Sequence, residues 1–157
     1  MKRVLDYLNN YFYRWGERGK FKIENGTINV ERTLLKGQYV AIKGSVLNDG
    51  VYRVENYLNG VATLTGMENE EFEGIVLSLA IPKELMDMPT KIDEYEKEVP
   101  ITNNIVSESY GNYSYTMATN SNGEKMTWKD VYANDLKPYR KMVNNLRYVE
   151  INDKKVK

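Results

Sequence analysis

The sequence predicts an α+β protein in which helices flank a small antiparallel β-barrel or curled sheet. Short β-prone runs separated by turn dipeptides fill residues 21–81, and apolar residues at helical spacing precede and follow them. With 157 residues, of which 41% are hydrophobic and 28% charged, the chain is long enough for one modest core. We expect an α+β body over residues 1–100 and a docking segment, an arm or hairpin with a helix, over residues 101–157.

The first predicted element is an N-terminal helix. Val4, Leu8, Tyr11 and Trp15 follow the i, i+4, i+7, i+11 spacing of one amphipathic stripe, and Gly16 is expected to end the helix.

Five or six antiparallel strands are predicted next. Asn25-Gly26 is a type I′ hairpin signal between two alternating segments, and Asp49-Gly50 and Asn59-Gly60 are further turn dipeptides. The apolar run EGIVLSLAI at 73–81 completes the set. A small barrel fits this spacing.

A second helix is predicted after the strands. Pro82 is placed to open it, but Pro89 interrupts the pattern, so the helix begins either at Pro82 or only at Pro89. The apolar positions that define it are Leu85, Met88, Ile92, Tyr95 and Val99.

The stretch SESYGNYSYTMATNSNGEKMTW at 107–128 is too polar for a core and too rich in tyrosine for an ordinary loop. Tyr113 and Tyr115 alternate, and Asn122-Gly123 is another hairpin signal, so we expect an extended arm or a hairpin. Tyrosine offers a large contact area with few rotatable bonds, which favours contact with another protein over catalysis. The alternative is an edge hairpin without a partner.

A last helix is predicted from Trp128. Thr127 and Asp130 resemble a capping box, and Pro138 is expected to kink or split the helix. Its stripe consists of Trp128, Tyr132, Asp135, Tyr139 and Met142. The charged tail INDKKVK is expected to fray.

Composition removes many enzymatic mechanisms. The chain has no cysteine and no histidine, so it lacks thiolate ligands, the commonest metal ligand and the usual general base. Ser107 and Ser109 flank Glu108 without an activating base. We therefore expect no catalytic residues, no cofactor and no metal, and we predict that the protein is not an enzyme.

The carboxylates Glu68, Glu70, Glu71 and Glu73 could bind a divalent cation from one side of a strand. We favour a solvated hairpin end for them, because no loop has calcium-binding spacing. No apolar run approaches the roughly 18 residues of a membrane span, so we expect a soluble chain that is intracellular when made and has no membrane partner.

Charge is balanced overall but segregated along the chain. Lysine and arginine together number 22, as do aspartate and glutamate, which argues against dominant non-specific binding of nucleic acid. The net charge is +5 over residues 1–43, −9 over 44–110 and +4 over 111–157. If these blocks persist on the surface, they favour head-to-tail association of copies, which closes into rings.

Four segments together resemble the small head-to-tail connector proteins of tailed phages and prophages of Gram-positive bacteria. The segments are KGQYVAIKGSVLNDGVYRV at 36–54, EEFEGIVLSLAIP at 70–82, SESYGNYSYTMAT at 107–119 and TWKDVYANDLKPYRKM at 127–142. The likeness runs along nearly the whole chain in the same order. The positions that match the family's C-terminal motif are Ser107, Glu108, Ser109, Tyr110, Gly111, Tyr113, Ser114, Tyr115, Tyr139 and Arg140.

This resemblance implies a virion structural protein of the phage neck, assembled in the cytoplasm of the bacterial host. The subunit would form a homo-oligomeric ring of about 12 or about 6 copies, bind the portal and tail or neck proteins, and let DNA pass through its lumen without specific binding. The matching residues, together with the helix at Trp128, would form the protein interface.

Connector adaptors are mainly helical, whereas residues 21–81 here are predicted to be β-rich, as in stopper or head-completion subunits. The position in the neck therefore stays open between an adaptor, a stopper or head-completion subunit and a tail terminator. A small β-barrel module that binds a peptide or single-stranded nucleic acid is the alternative outside the neck.

Overall fold

The computed structural model describes residues 1–98, 107–110, 113–116, 119, 126–141 and 150–153. In these ranges the helices are α1 (Lys2–Leu8), α2 (Met88–Glu98), α3 (Trp128–Val131) and α4 (Ala133–Leu136), with 3₁₀ turns at Lys83–Leu85 and Lys137–Tyr139. The strands are β1 (Tyr13–Glu24), β2 (Thr27–Asn29), β3 (Tyr39–Lys43), β4 (Gly50–Leu58), β5 (Val61–Leu64), β6 (Glu70–Leu79), β7 (Ser107–Tyr110), β8 (Tyr113–Thr116) and β9 (Glu150–Asp153).

Strands β1 to β6 form a six-stranded antiparallel barrel in the order β2-β5-β4-β3-β6-β1. Pairing of β1 with β2 at Ile23↔Ile28 closes the ring. The longest pairing joins β1 to β6, from Tyr13↔Leu79 to Ile23↔Glu70. The predicted class, α+β with a small barrel, is confirmed.

Two of the predicted turn dipeptides connect neighbouring strands as two-residue turns. Asn25 and Gly26 have φ of 50° and 73°, and Asn59 and Gly60 have φ of 50° and 85°. Positive φ at both central positions defines the type I′ turn, whose twist matches that of the strands it joins. These turns fix the β1–β2 and β4–β5 hairpins.

The prediction of a tight turn at Asp49-Gly50 is wrong. Gly50 is the first residue of β4, and the connection from β3 is the longer loop 44–49. The Asp49 carboxylate accepts a hydrogen bond from the Ser45 amide at 3.1 Å. Asp49 therefore braces the loop from its end.

The barrel encloses the main hydrophobic core. Phe21 and Phe72 stack there with ring centroids 5.5 Å apart. The buried set is Phe21, Ile23, Ile28, Val30, Leu34, Val40, Ile42, Val54, Ala62, Leu64, Phe72 and Val76. Alternation along the strands thus directs one apolar face inward, as the sequence pattern indicates.

The predicted N-terminal helix is correct over its first half and wrong over its second. Helix α1 ends at Leu8 because Asn9 adopts the left-handed conformation, with φ of 49°. Tyr13 already pairs with Leu79 of β6, and Trp15 lies within β1. Asparagine tolerates the left-handed region, so it can end a helix where glycine is absent.

Helix α1 joins the barrel to a second, helical core. Leu5 packs with Ala41, Leu77 and Leu79 on the outside of the barrel. Val4 and Leu8 instead face a separate buried cluster. The other members of that cluster are Leu85, Met88, Ile92, Trp128 and Leu136.

Helix α2 begins at Met88, which agrees with the later of the two predicted starts because Pro89 lies in its first turn. The predicted C-terminal helix is divided into α3 and α4 at Tyr132 and ends at Leu136, before Pro138. Asp130 accepts a hydrogen bond from the Thr127 amide at 2.8 Å, as the capping box requires.

Residues 126–141 pack onto the body. Tyr95 of α2 donates a hydrogen bond to the Met126 carbonyl at 2.7 Å, and the Lys141 amide donates to the Leu8 carbonyl at 2.9 Å. The division at residue 100 into a body and a docking segment stays a prediction.

The first three residues of the tail INDKKVK depart from the expectation that it frays, since they belong to β9 (Glu150–Asp153), which runs parallel to residues Trp15–Arg18 of β1. The expectation for residues 154–157 lies outside the described residues. The expected positions of Val99 and Met142, and the Asn122-Gly123 turn, lie outside the described residues.

Candidate docking surface

The tyrosine-rich stretch forms a β-hairpin of its own. Strands β7 and β8 pair antiparallel with Tyr110 opposite Tyr113 and Glu108 opposite Tyr115. The other two pairs of the register are Ser107↔Thr116 and Ser109↔Ser114. Neither strand belongs to the seven-stranded sheet of the barrel and β9. Gly111 lies outside the described residues.

Trp128 lies inside the helical core. Its side chain is 7% exposed, and its ring meets the Tyr7 ring edge-on at a centroid distance of 5.3 Å. The Arg3 guanidinium lies 5.7 Å from the same ring centroid, and the Lys129 ammonium lies 5.8 Å from it. The Trp128 ring therefore stabilises the fold of this chain, and little of it is accessible at the surface.

Tyr139 and Arg140 border the same core. Tyr139 is half-buried against Phe12, with ring centroids 6.4 Å apart, and its carbonyl accepts a hydrogen bond from the Asn10 side chain at 2.9 Å. Arg140 is exposed, and its guanidinium lies 5.4 Å from the Tyr7 ring centroid. Trp128 and Arg140 thus both lie against the ring of Tyr7 in α1.

The sequence pattern did not predict a hydrogen-bonded loop that carries two exposed aliphatic side chains. In loop 44–49, Val46 is 90% exposed and Leu47 is 59% exposed. Their amides donate to the Glu70 carboxylate at 2.9 and 3.2 Å, and the Asn48 side chain donates to it at 2.9 Å. The Ser45 hydroxyl donates to the same carboxylate. The signal in the sequence that could have indicated this loop is the pair of apolar residues, Val46 and Leu47, inside a turn-like segment.

These donors also lower the pKa of Glu70. The Ser45 hydroxyl has the largest effect, and the loop amides and Asn48 add to it, because each hydrogen bond favours the charged carboxylate. Burial opposes them. Glu70 is therefore an ionised cap for the loop at neutral pH.

The remaining carboxylates of the Glu68 to Glu73 cluster are separate from this cap. The Glu71 carboxylate lies 3.6 Å from the Lys22 ammonium, and Glu68 and Glu73 are exposed. Over the described residues, no group of three or more acidic side chains is arranged to hold a metal ion. These side chains suit solvent contact better than ion binding.

A groove of about 400 Å³ runs along β1 and β6. Its walls carry lysine and glutamate side chains that alternate across the two strands, so no single charge dominates it. The lining residues are Lys20, Phe21, Lys22, Glu71, Phe72 and Glu73. None of the described helices is long and apolar enough to cross a membrane.

No protein family model matches the chain, and no curated protein or solved structure matches it either.

Proposed function

We propose that the protein is a structural subunit of a phage neck, a ring-forming head-to-tail connector that joins the portal to the tail. The β7–β8 hairpin is the element that binds a neighbouring neck protein, and the barrel with its helices forms the body of the ring. The barrel favours a stopper or head-completion position over a helical adaptor.

The observation that carries this proposal is that the hairpin forms a sheet of its own. Strands β7 and β8 pair with each other and lie in a different sheet from β1–β6 and β9. Their eight residues include three tyrosines and no aliphatic residue. A tyrosine-rich hairpin outside the main sheet suits binding of another chain, since rigid aromatic side chains lose little entropy on docking.

Charge supports the same function. A connector must let DNA pass without holding it, and a formal net charge of zero avoids the strong phosphate attraction of a basic lumen. DNA passage through the ring requires no catalytic group, cofactor or metal from this chain.

The test is the double variant Tyr113→Ala/Tyr115→Ala in the genome that encodes the protein. We expect the purified variant to keep the thermal unfolding midpoint of the wild type, because the hairpin pairs only with itself among the described strands. We also expect it to lose co-purification with the portal protein and to yield no tailed, DNA-filled particles.

The control is Lys83→Ala/Glu84→Ala, which alters two exposed residues of a 3₁₀ turn and should assemble normally. A normal particle yield from the tyrosine double variant would refute the proposed role of the hairpin. Failure of the wild-type chain to bind any product of the adjacent genes would favour the small binding module.

A further inference from the structure

A cluster of cationic and aromatic side chains lies where α3 and the segment after α4 pack against α1. The Tyr7 and Trp128 rings meet edge-on at its centre. The Arg140 guanidinium lies 5.4 Å from the Tyr7 ring centroid and the Lys129 ammonium lies 5.8 Å from it. Because the face of an aromatic ring attracts a cation, both positive charges are held beside the same ring.

The backbone on either side of Arg140 is bonded to the end of α1. The Asn10 side chain donates a hydrogen bond to the Tyr139 carbonyl at 2.9 Å, and the Lys141 amide donates to the Leu8 carbonyl at 2.9 Å. The Arg140 side chain is nevertheless exposed. A charged group that projects from an anchored backbone loses little entropy when a ligand binds it.

Arg3, a third cation of the cluster, shows what such a group binds. Its guanidinium lies 5.7 Å from the Trp128 ring centroid. Its two terminal nitrogens donate to the two carboxylate oxygens of Glu96 in α2, at 2.6 and 3.0 Å. The cluster therefore already contains one carboxylate that is bound by the two N–H groups of a guanidinium beside an aromatic ring.

Lys129 and Arg140 have no comparable partner. Among the residues that the structure describes, neither side chain makes an ion pair or a hydrogen bond. Asp130 is next to Lys129 in sequence, but its carboxylate accepts hydrogen bonds from the Thr127 amide and hydroxyl at 2.8 and 2.7 Å. The acidic side chain of α1, Asp6, pairs with its own helix neighbour and with a tyrosine hydroxyl.

We propose that Lys129 and Arg140 form a site that binds two neighbouring acidic side chains of a partner protein. Arg140 binds one carboxylate through two N–H groups, in the way that Arg3 binds Glu96, and Lys129 binds the other. Two exposed cations beside one ring suit a pair of carboxylates better than a single one.

The charge around the site favours an acidic protein segment over nucleic acid. Helix α2 reaches the cluster through the Arg3–Glu96 ion pair, and it contains four carboxylates and two lysines. A DNA duplex carries one phosphate charge per about 1.7 Å of its axis, so it would bring phosphates against this acidic helix. A pair of acidic side chains can contact the two cations alone.

This inference deepens the proposed function and rests on it for the identity of the partner. Arg140 is one of the positions that carry the resemblance, and the structure adds Lys129 and the chemistry of the ligand. Neither residue belongs to the β7–β8 hairpin, so the site is a second point of contact.

The experiment measures binding of a fluorescently labelled hexaglutamate peptide to the full chain by anisotropy at low salt. We expect saturable binding that weakens as the salt concentration rises. Lys129→Gln/Arg140→Gln should weaken binding at least about 10-fold, because both charge-assisted contacts are lost. Lys20→Gln/Lys36→Gln is the matched control, since it removes the same charge from two exposed residues of the barrel and should bind like the wild type.

Arg140→Lys separates bidentate binding from charge alone. This substitution keeps the positive charge and removes the planar pair of N–H groups, so binding should weaken by about 3-fold or more. The thermal unfolding midpoint of each variant checks the fold, and the Lys129 and Arg140 side chains are exposed in the wild type.

A wild-type chain that does not bind the peptide overturns the inference, and so does an equal loss of binding in the Lys20→Gln/Lys36→Gln control. A short DNA duplex that binds more tightly than the peptide, and is released by Lys129→Gln/Arg140→Gln, would assign the site to phosphate groups and also overturn it. A chain that binds the peptide through Lys129 and Arg140 but binds no portal or neck protein would instead overturn the proposed function and leave this inference intact.

Discussion

Glu70 shows how one residue sets the conformation of a loop distant from it in sequence. Its carboxylate accepts hydrogen bonds from the Ser45 hydroxyl and from the Val46 and Leu47 amides. We expect Glu70→Gln to lower the thermal unfolding midpoint at neutral pH, because the amide group that replaces one oxygen is a donor facing other donors.

The stabilisation by Glu70 should depend on pH, because the pKa of its carboxyl is lowered in the folded state. A carboxyl whose folded-state pKa lies below its ordinary value of 4.5 stabilises the fold above pH 4.5 and loses that contribution as pH falls through the folded-state pKa. The difference in unfolding midpoint between wild type and Glu70→Gln should therefore be largest near neutral pH. It should decrease as the pH falls below 4.5.

Glu71→Gln is the matched control, since the exposed Glu71 carboxylate makes an ion pair at 3.6 Å and no loop contact is assigned to it. A Glu70→Gln variant with the midpoint of the wild type at every pH would contradict the role assigned to this residue. The sequence pattern could not separate Glu70 from its acidic neighbours, because its function depends on donors that the fold brings from loop 44–49.

At the scale of the element, the aromatic side chain of Trp128 packs α3 against the rest of the fold. Trp128 of α3 packs among α1 and α2 residues, so Trp128→Ala should destabilise the protein by about 3–5 kcal/mol through the cavity it leaves. Chemical denaturation followed by circular dichroism measures this change.

Val131→Ala is the control within the same helix. Its side chain is exposed, so the free energy of unfolding should change by no more than about 0.5 kcal/mol. Equal effects of the two substitutions would contradict the packing described for α3. If Trp128→Ala fails to assemble, the destabilised fold is a sufficient cause, and no direct contact between Trp128 and a partner is needed.

Local signals predicted some elements and failed for others for identifiable reasons. The Asn25-Gly26 and Asn59-Gly60 hairpins were predictable because positive φ is a property of those residues themselves. The end of α1 was not, since Tyr11 and Trp15 fit a helical stripe while pairing of β1 with β6 makes Trp15 part of a strand. The burial of Trp128 could not be predicted from the sequence either. A stripe of apolar residues on a helix does not show whether it packs against the same chain or against another chain.

At the scale of the whole molecule, barrel closure depends on unequal contacts. Strand β1 pairs with β6 over most of its length but with β2 through only Ile23↔Ile28 and Glu24↔Thr27. Part of the remaining edge of β1, at Trp15–Arg18, pairs with β9. The fold therefore joins its first and last strands beside the barrel seam.

Removal of residues 150–157 tests how much this last strand contributes. The six-stranded barrel closes without β9, so we expect the truncated chain to fold, with a free energy of unfolding lower by about 1–2 kcal/mol from the lost backbone hydrogen bonds. Hydrogen exchange should accelerate at the amides of Trp15–Arg18 that pair with β9 and stay slow in β3 and β6. A chain that ends at Asp153 retains β9 and should exchange like the wild type, and unfolding of the shorter chain would show that the seam depends on its terminal strand.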